Sequence, residues 1–135
     1  MRRDSLVIDG HPDSAPARYC HALALAYADG ARAMGNQVRL LKLSDLAVEP
    51  LRNASEFAAP PEDAGLLAAR DDLEWADHVA LVFPLWLGAM PARLRAFFER
   101  ASRGGFVVEL GAAGWRPHLR GRSARLWACR PSPIG

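Results

Sequence analysis

The sequence predicts an α/β domain built on a doubly wound parallel sheet, and three observations carry that prediction. Strand and helix patterns alternate along the chain, which is the order of a sheet with helices packed on it. Two of the strand candidates, Leu6-Val7-Ile8 and His78 to Phe83, are apolar runs without polar alternation, as strands covered on both faces are. Each of these two is followed by a loop at what would be the carboxyl edge of the sheet, the edge where open α/β sheets bind ligands. At 135 residues, half of them apolar, the chain suits one domain with one core.

Taken in order, Leu6-Val7-Ile8 is a short buried strand, and Asp9-Gly10-His11-Pro12-Asp13-Ser14 is a turn-forming cluster directly after it. A helix follows, with Cys20, Leu23, Ala24, Tyr27, Ala31 and Met34 at spacings of three and four, and Gly35-Asn36 supplies a left-handed stop. Its N-terminus, with unpaired N–H groups and a partial positive charge, suits a phosphate. Gln37 to Leu43 is the second strand, so the first two strands and their helix form a right-handed crossover unit. From Ser44 to Pro61 the pattern weakens into a long connection. Glu62 and Asp63 then fit a first helical turn, and Leu66, Ala69, Leu73 and Ala76 mark a helix stripe.

The stretch from Ala76 to Arg100 reads as strand, stiff loop and helix. Pro84 ends the third strand, and Pro91 stands in a first helical turn where a missing N–H does no harm. Leu94, Phe97, Phe98 and Ala101 continue at helical spacing, and between the prolines lies the apolar loop Leu85-Trp86-Leu87-Gly88-Ala89-Met90. Gly104 to Gly121 is glycine-rich, with hairpin character around Phe106-Val107-Val108, and Ser123 to Ala128 is the fourth strand of the sheet. The closing segment from Cys129 to Gly135 carries Pro131 and Pro133, which argue against helix and central strand. The expected division is an α/β domain over residues 1–128, incomplete at its C-terminal side, and an irregular tail over 129–135.

The formal net charge of +2 gives no case for nucleic-acid binding, although its distribution is uneven. Residues 1–90 hold 8 basic and 13 acidic side chains, residues 91–135 hold 9 and 2, so the last third is +7 against −5 before it. Such a basic region is either a solvated face or an attraction for a phosphate-bearing ligand. Two cysteines make no disulfide framework and fit a reducing, cytoplasmic setting. The apolar run near the N-terminus is too short for a signal peptide, and no stretch reaches membrane-span length.

With both loops in view, the chain resembles the flavodoxin-like NAD(P)H:quinone oxidoreductase family. Gly10-His11-Pro12-Asp13 with Arg18 to Leu23 is the first match. Trp75-Ala76-Asp77-His78 leading through Phe83 to Ala92 and the following helix is the second, and Leu119 to Leu126 is the third. The resemblance implies strand order 2-1-3-4, with a fifth strand and last helices that this text does not supply, as in a truncated or frameshifted member. It implies a bound flavin, FMN or FAD, with NAD(P)H as co-substrate and a quinone-like acceptor. It also implies a homodimer. Carried over residue by residue, His11, Arg18 and Tyr19 would hold the flavin phosphate, and Pro84, Leu85, Trp86, Leu87 and Gly88 the ring. A rigid loop of this kind presents backbone N–H groups to the ring's polar atoms, while Trp86 and Leu87 cover an apolar face and Gly88 permits close approach.

Each of these residues also has a plainer reading. His11 in a turn is commonly a surface or capping group, Arg18 a solvated charge opposed to the helix dipole, and Trp86 a core side chain. Cys20 lies on the apolar face, and Cys20 and His21, being adjacent on a helix, cannot form a dyad with each other. His11, His21, His78 and His118 show no metal-ligand spacing, and neither a dinucleotide fingerprint nor a P-loop is present. The alternative to an enzyme is a flavin-free fragment, acting as a regulatory or dimerising module or not at all.

Overall fold

The computed structural model of the chain describes residues 3–16, 18–105, 108–111, 114–117 and 122–130; for 108–111 and 114–117 only the backbone is described. Strand β1 (Asp4–Asp9) leads to helix α1 (Tyr19–Ala33) and strand β2 (Gln37–Lys42). A single 3-10 turn, the five-residue helix α2 (Ala54–Ala58) and helix α3 (Ala64–Trp75) precede strand β3 (His78–Pro84) and helix α4 (Ala92–Ala101). Strands β4 (Val108–Gly111) and β5 (Gly114–Pro117) pair antiparallel as the expected hairpin; Phe106 and Val107 lie outside the described residues. Strand β6 (Ser123–Cys129) completes the main sheet, whose order is β2-β1-β3-β6 with every neighbouring pair parallel. That is the 2-1-3-4 order when the hairpin is set aside.

Alternation along the central strands divides the core into two layers. Leu6, Ile8, Leu81 and Phe83 face α3 and α4 and pack with Leu66, Ala69, Leu73, Leu94 and Phe97. Val7, Ala80 and Val82 face the other way, onto Cys20, Ala24 and Ala28 of α1. Both faces of β1 and β3 are thus dry, which accounts for their unbroken apolar text. At β6 the pattern changes, because Ser123 to Ala128 are all exposed, Leu126 to 64 %.

Several boundaries differ from the sequence reading for local reasons. Asp63 is not in the first turn of α3 but is its N-cap, its Oδ1 accepting the Leu66 N–H at 2.9 Å. Pro91 likewise stands one residue before α4, at the N-cap, and Pro84 is the last residue of β3 rather than the stop beyond it. Cys129, assigned to the tail, pairs with Pro84 as the last residue of β6; residues 131–135 lie outside the described ones. On α1, Met34 is 83 % exposed while His21 and Ala28 are buried, so the buried stripe is rotated from the predicted one near both ends. Helix α2 went unseen in the long connection, yet it carries a reciprocal cap: Asn53 Oδ1 accepts from Glu56 N at 2.8 Å, and Glu56 Oε2 accepts from Arg52 N at 3.0 Å.

Arginines tie the connections to this frame. Arg93 of α4 donates to the carbonyls of Pro12, at 3.2 Å, and of Leu46, so one guanidinium joins the loops after β1 and β2. Arg100 pairs with Glu56 at 3.1 Å and donates to Glu49 and Pro50 carbonyls, which holds α2 against α4. Arg122 donates to the carbonyls of Leu73, Glu74 and Ala76 at the end of α3, a favourable place for a cation.

Candidate functional site

The two loops singled out from the sequence meet at the carboxyl edge of the sheet. Gly10 makes the first turn possible. Its N–H donates to the Val82 carbonyl at 2.7 Å, and a Cβ on it would stand 2.8 Å from Leu94 Cδ2 and 2.9 Å from that same carbonyl oxygen. Only glycine lets the chain leave β1 this close to β3 and α4. Next comes His11, which is buried, with its ring edge-on to Trp86 at 5.7 Å between centroids and 87° between planes.

Beneath this turn is a buried polar network. Asp9, at the end of β1, is 1 % exposed; its Oδ1 accepts the His11 N–H at 3.3 Å and its Oδ2 bonds His21 Nδ1 from the first turn of α1. The other ring nitrogen of His21, Nε2, donates to the Asp13 carbonyl at 2.7 Å. A buried carboxylate without partners would be strongly unfavourable, and here it is met by a side chain that also fastens the loop to the helix. His21 is not among the site residues expected from the sequence. The available signal was Asp9 itself: a carboxylate closing a buried strand requires a partner, and a histidine in the first turn of the next helix is in reach.

Asp13, part of the first sequence match, is likewise not among the expected site residues. Its N–H donates to His11 Nδ1 at 3.1 Å, and its Oδ1 accepts the Ala15 N–H at 2.9 Å. Its Oδ2 takes two bonds from Arg18, from Nε at 3.0 Å and Nη2 at 2.7 Å. The Ala15 N–H and Arg18 hold the Asp13 carboxyl below its ordinary range. Because Nδ1 of His11 is an acceptor, its proton sits on Nε2, which has no acceptor among the described residues. Burial and the neighbouring His21 push His11 below its usual value, so the ring is neutral near pH 7.

Helix α1 begins without a side-chain cap and without an acid in its first turn. The N–H groups of Tyr19 and Cys20 have no acceptor among the described residues, and Tyr19 is exposed on its first turn. Of the three residues expected at a phosphate, then, His11 offers a free Nε2–H, Tyr19 a free backbone N–H, and Arg18 a guanidinium engaged by Asp13.

In the second loop, Leu85 N donates to Cys129 O at 2.7 Å, and Trp86 and Ala89 exchange backbone bonds of 2.9 and 3.0 Å. The residues between them, Leu87 and Gly88, have φ of 51° and 74°, the pattern of a type I′ turn. The N–H groups of Leu85, Trp86 and Ala89 are therefore spent inside the protein, and those of Leu87 and Gly88 have no acceptor among the described residues. Leu87 is fully exposed and Trp86 is 44 % exposed, whereas Pro84 ends the strand below them. Cys20 is buried, and burial beside Cys129 raises its thiol to about 12, which makes it an inert core residue.

A four-stranded parallel sheet with helices on its faces and a polar loop and an apolar turn at its carboxyl edge defines the chain as an open α/β protein, a class whose ligands bind at that edge. A family profile described as a flavodoxin-like fold, Flavodoxin_2, matches residues 3–133, and the chain belongs to that family. Among solved structures, it is similar to an NAD(P)H:quinone oxidoreductase from Methanothermobacter marburgensis, at 16 % identity and a TM-score of 0.77, over 96 % of this chain and 68 % of that one. It is similar also to an FMN-dependent NADH-azoreductase from Bacillus anthracis in complex with FMN, at 13 % identity and a TM-score of 0.68, covering 94 % and 69 %. A third is Smu.1420 from Streptococcus mutans, at 26 % identity and a TM-score of 0.69, covering 91 % and 65 %. The chain spans between 59 % and 72 % of the length of such structures. No curated protein matches it. Among the described residues no helix is long and apolar enough to cross a membrane.

Proposed function

We propose that the chain is a flavin-dependent oxidoreductase that passes a hydride from NAD(P)H by way of bound FMN to a quinone-like acceptor. The observation that carries this reading is the contact of His11 with Trp86, because it joins a loop of anion donors to an apolar turn at one edge of the sheet. FMN is favoured over FAD by the FMN-bound relative named above.

In this reading the neutral His11 gives its Nε2–H to the phosphate, the uncapped start of α1 adds the Tyr19 N–H, and Arg18 adds charge. Pro84 and Leu85 anchor the second loop to β6, so that the Leu87 and Gly88 N–H groups are fixed where they can meet polar atoms of the ring. Trp86 and Leu87 shield one side of that ring from water. When bound, FMN supplies the two-electron chemistry; the protein orients it and sets its surroundings. A homodimer fits the same reading, since the exposed Leu126 and Trp127 on β6 would be covered by a partner. Those exposed residues also favour the second reading, an α/β module that assembles without flavin.

The experiment is the visible spectrum of the purified chain after incubation with FMN and desalting. Retained flavin absorbance that bleaches on NADH or NADPH and returns on adding a quinone supports the enzyme. A colourless protein overturns it.

A further inference from the structure

We propose that Asp13 is a specificity-determining residue of the site: its carboxylate occupies two of the donors that a phosphate would use, Arg18 and the Ala15 N–H, so FMN must displace it to reach them and its advantage over riboflavin is narrowed. This rests on the flavin reading above and concerns which flavin the site accepts.

Three features support it. Arg18 is the cation that the loop supplies for a phosphate, and Asp13 takes it by two bonds, at 3.0 and 2.7 Å. The same carboxylate takes the Ala15 N–H at 2.9 Å, a backbone donor on the path from the turn to α1. Asp13 is also fixed from behind, its N–H on His11 Nδ1 at 3.1 Å and its carbonyl on His21 Nε2 at 2.7 Å, so its side chain is presented from an anchored backbone. An anchored carboxylate with its charge already balanced mimics a bound anion. A phosphate that reaches Arg18 and the start of α1 therefore meets a like charge on Asp13, and it must either displace that carboxylate from Arg18 or share the guanidinium with it.

The loop is not an ordinary uncompensated phosphate cradle. With the Asp13 charge balanced by Arg18, the remaining donors toward the ligand are neutral: His11 Nε2–H and the Tyr19 and Cys20 N–H groups. Neutral donors can bond the hydroxyl groups of an unphosphorylated flavin chain as well as a phosphate, and without the charge of Arg18 less separates the two. The carboxylate thus lowers the advantage of FMN over riboflavin while leaving the ring loop untouched.

The test is a pair of titrations of the full chain with FMN and with riboflavin, for wild type and Asp13→Asn, followed by flavin fluorescence at low and at high salt. Asparagine keeps an acceptor for the Ala15 N–H while removing the charge and the second oxygen that holds Arg18. The expected result is FMN binding tightened about tenfold at low salt, less at high salt, with riboflavin affinity unchanged. In an Arg18→Gln background the same substitution gives a smaller gain, because no guanidinium is released. If wild type binds FMN and Asp13→Asn binds it no more tightly, the inference falls and the flavin reading stands. If Asp13→Asn weakens FMN and riboflavin together, Asp13 is only a fold-holding residue and the inference falls. Should wild type bind neither flavin, the flavin reading falls and the inference falls with it.

Discussion

Replacing Gly10 by alanine should destabilise the chain even though a glycine-to-alanine change normally stabilises. Where the backbone angles permit, that change gains about 0.4–1 kcal/mol by restricting the unfolded chain. At Gly10 the new methyl would stand 2.8 Å from Leu94 Cδ2 and 2.9 Å from the Val82 carbonyl oxygen, both closer than a Cβ tolerates. Leu94 is fully buried in the layer under α4, and the Val82 oxygen is backbone, so neither yields cheaply. Overpacking of this kind costs about 1–3 kcal/mol, and moving the turn away also weakens the 2.7 Å bond from Gly10 N to Val82 O, worth about 1 kcal/mol. The net is a loss of about 1–3.5 kcal/mol, measured as a lower urea midpoint at constant slope. Leu94→Ala alone costs about 3 kcal/mol by leaving a cavity, and in that background Gly10→Ala should cost less because its methyl has room on that side. A loss under about 0.5 kcal/mol, or a gain, would refute the close packing of β1, β3 and α4 on which the site geometry depends.

Other outcomes follow from the same structure. Leu87 holds φ of 51° in the first central position of its turn, where asparagine is preferred, so Leu87→Asn should stabilise by about 0.5–1 kcal/mol and yet weaken flavin binding through loss of an apolar wall. Because burial and His21 lower the His11 value, the folded chain resists a proton that the unfolded chain accepts. Its stability is therefore full above pH 6.5 and is lost as pH falls from there through the lower folded value. His78 is lowered too, by burial and by Arg3 and Arg125, so the contribution of His11 is the difference between wild type and His11→Gln over that range. Arg93→Met removes donors to the Pro12 and Leu46 carbonyls and should speed hydrogen exchange in residues 10–16 more than in α3.

Most of the frame was legible because its signals are periodic. The unbroken apolar text of β1 and β3 reports strands covered twice, and the spacing of Leu66, Ala69 and Leu73 reports a helix stripe; all three are buried. Helix α2 escaped because five residues cannot show a period, and only the Asn53–Glu56 cap betrays it. The start of α1 misled for another reason. His21 looks like an outward polar residue by spacing, but Asp9 draws it inward, and a pairing across twelve residues is a tertiary fact. Neither sequence reading of Arg18, a solvated charge or a phosphate holder, includes its pairing with Asp13, because the pattern says nothing about where Asp13, five residues earlier, directs its carboxylate. In the second loop, the meeting of Trp86 with His11 depends on the parallel pairing of β1 with β3, which brings both loops to one edge.

The central claim is that these two loops form one flavin site, and the most direct measurement is FMN titration of wild type beside Trp86→Ala and His11→Ala, followed by quenching of flavin fluorescence. The account predicts saturable binding with strong quenching in wild type, weaker quenching without Trp86, and a larger loss of affinity for FMN than for riboflavin without His11. Binding that is unaffected by both substitutions, or no binding at all, would contradict it.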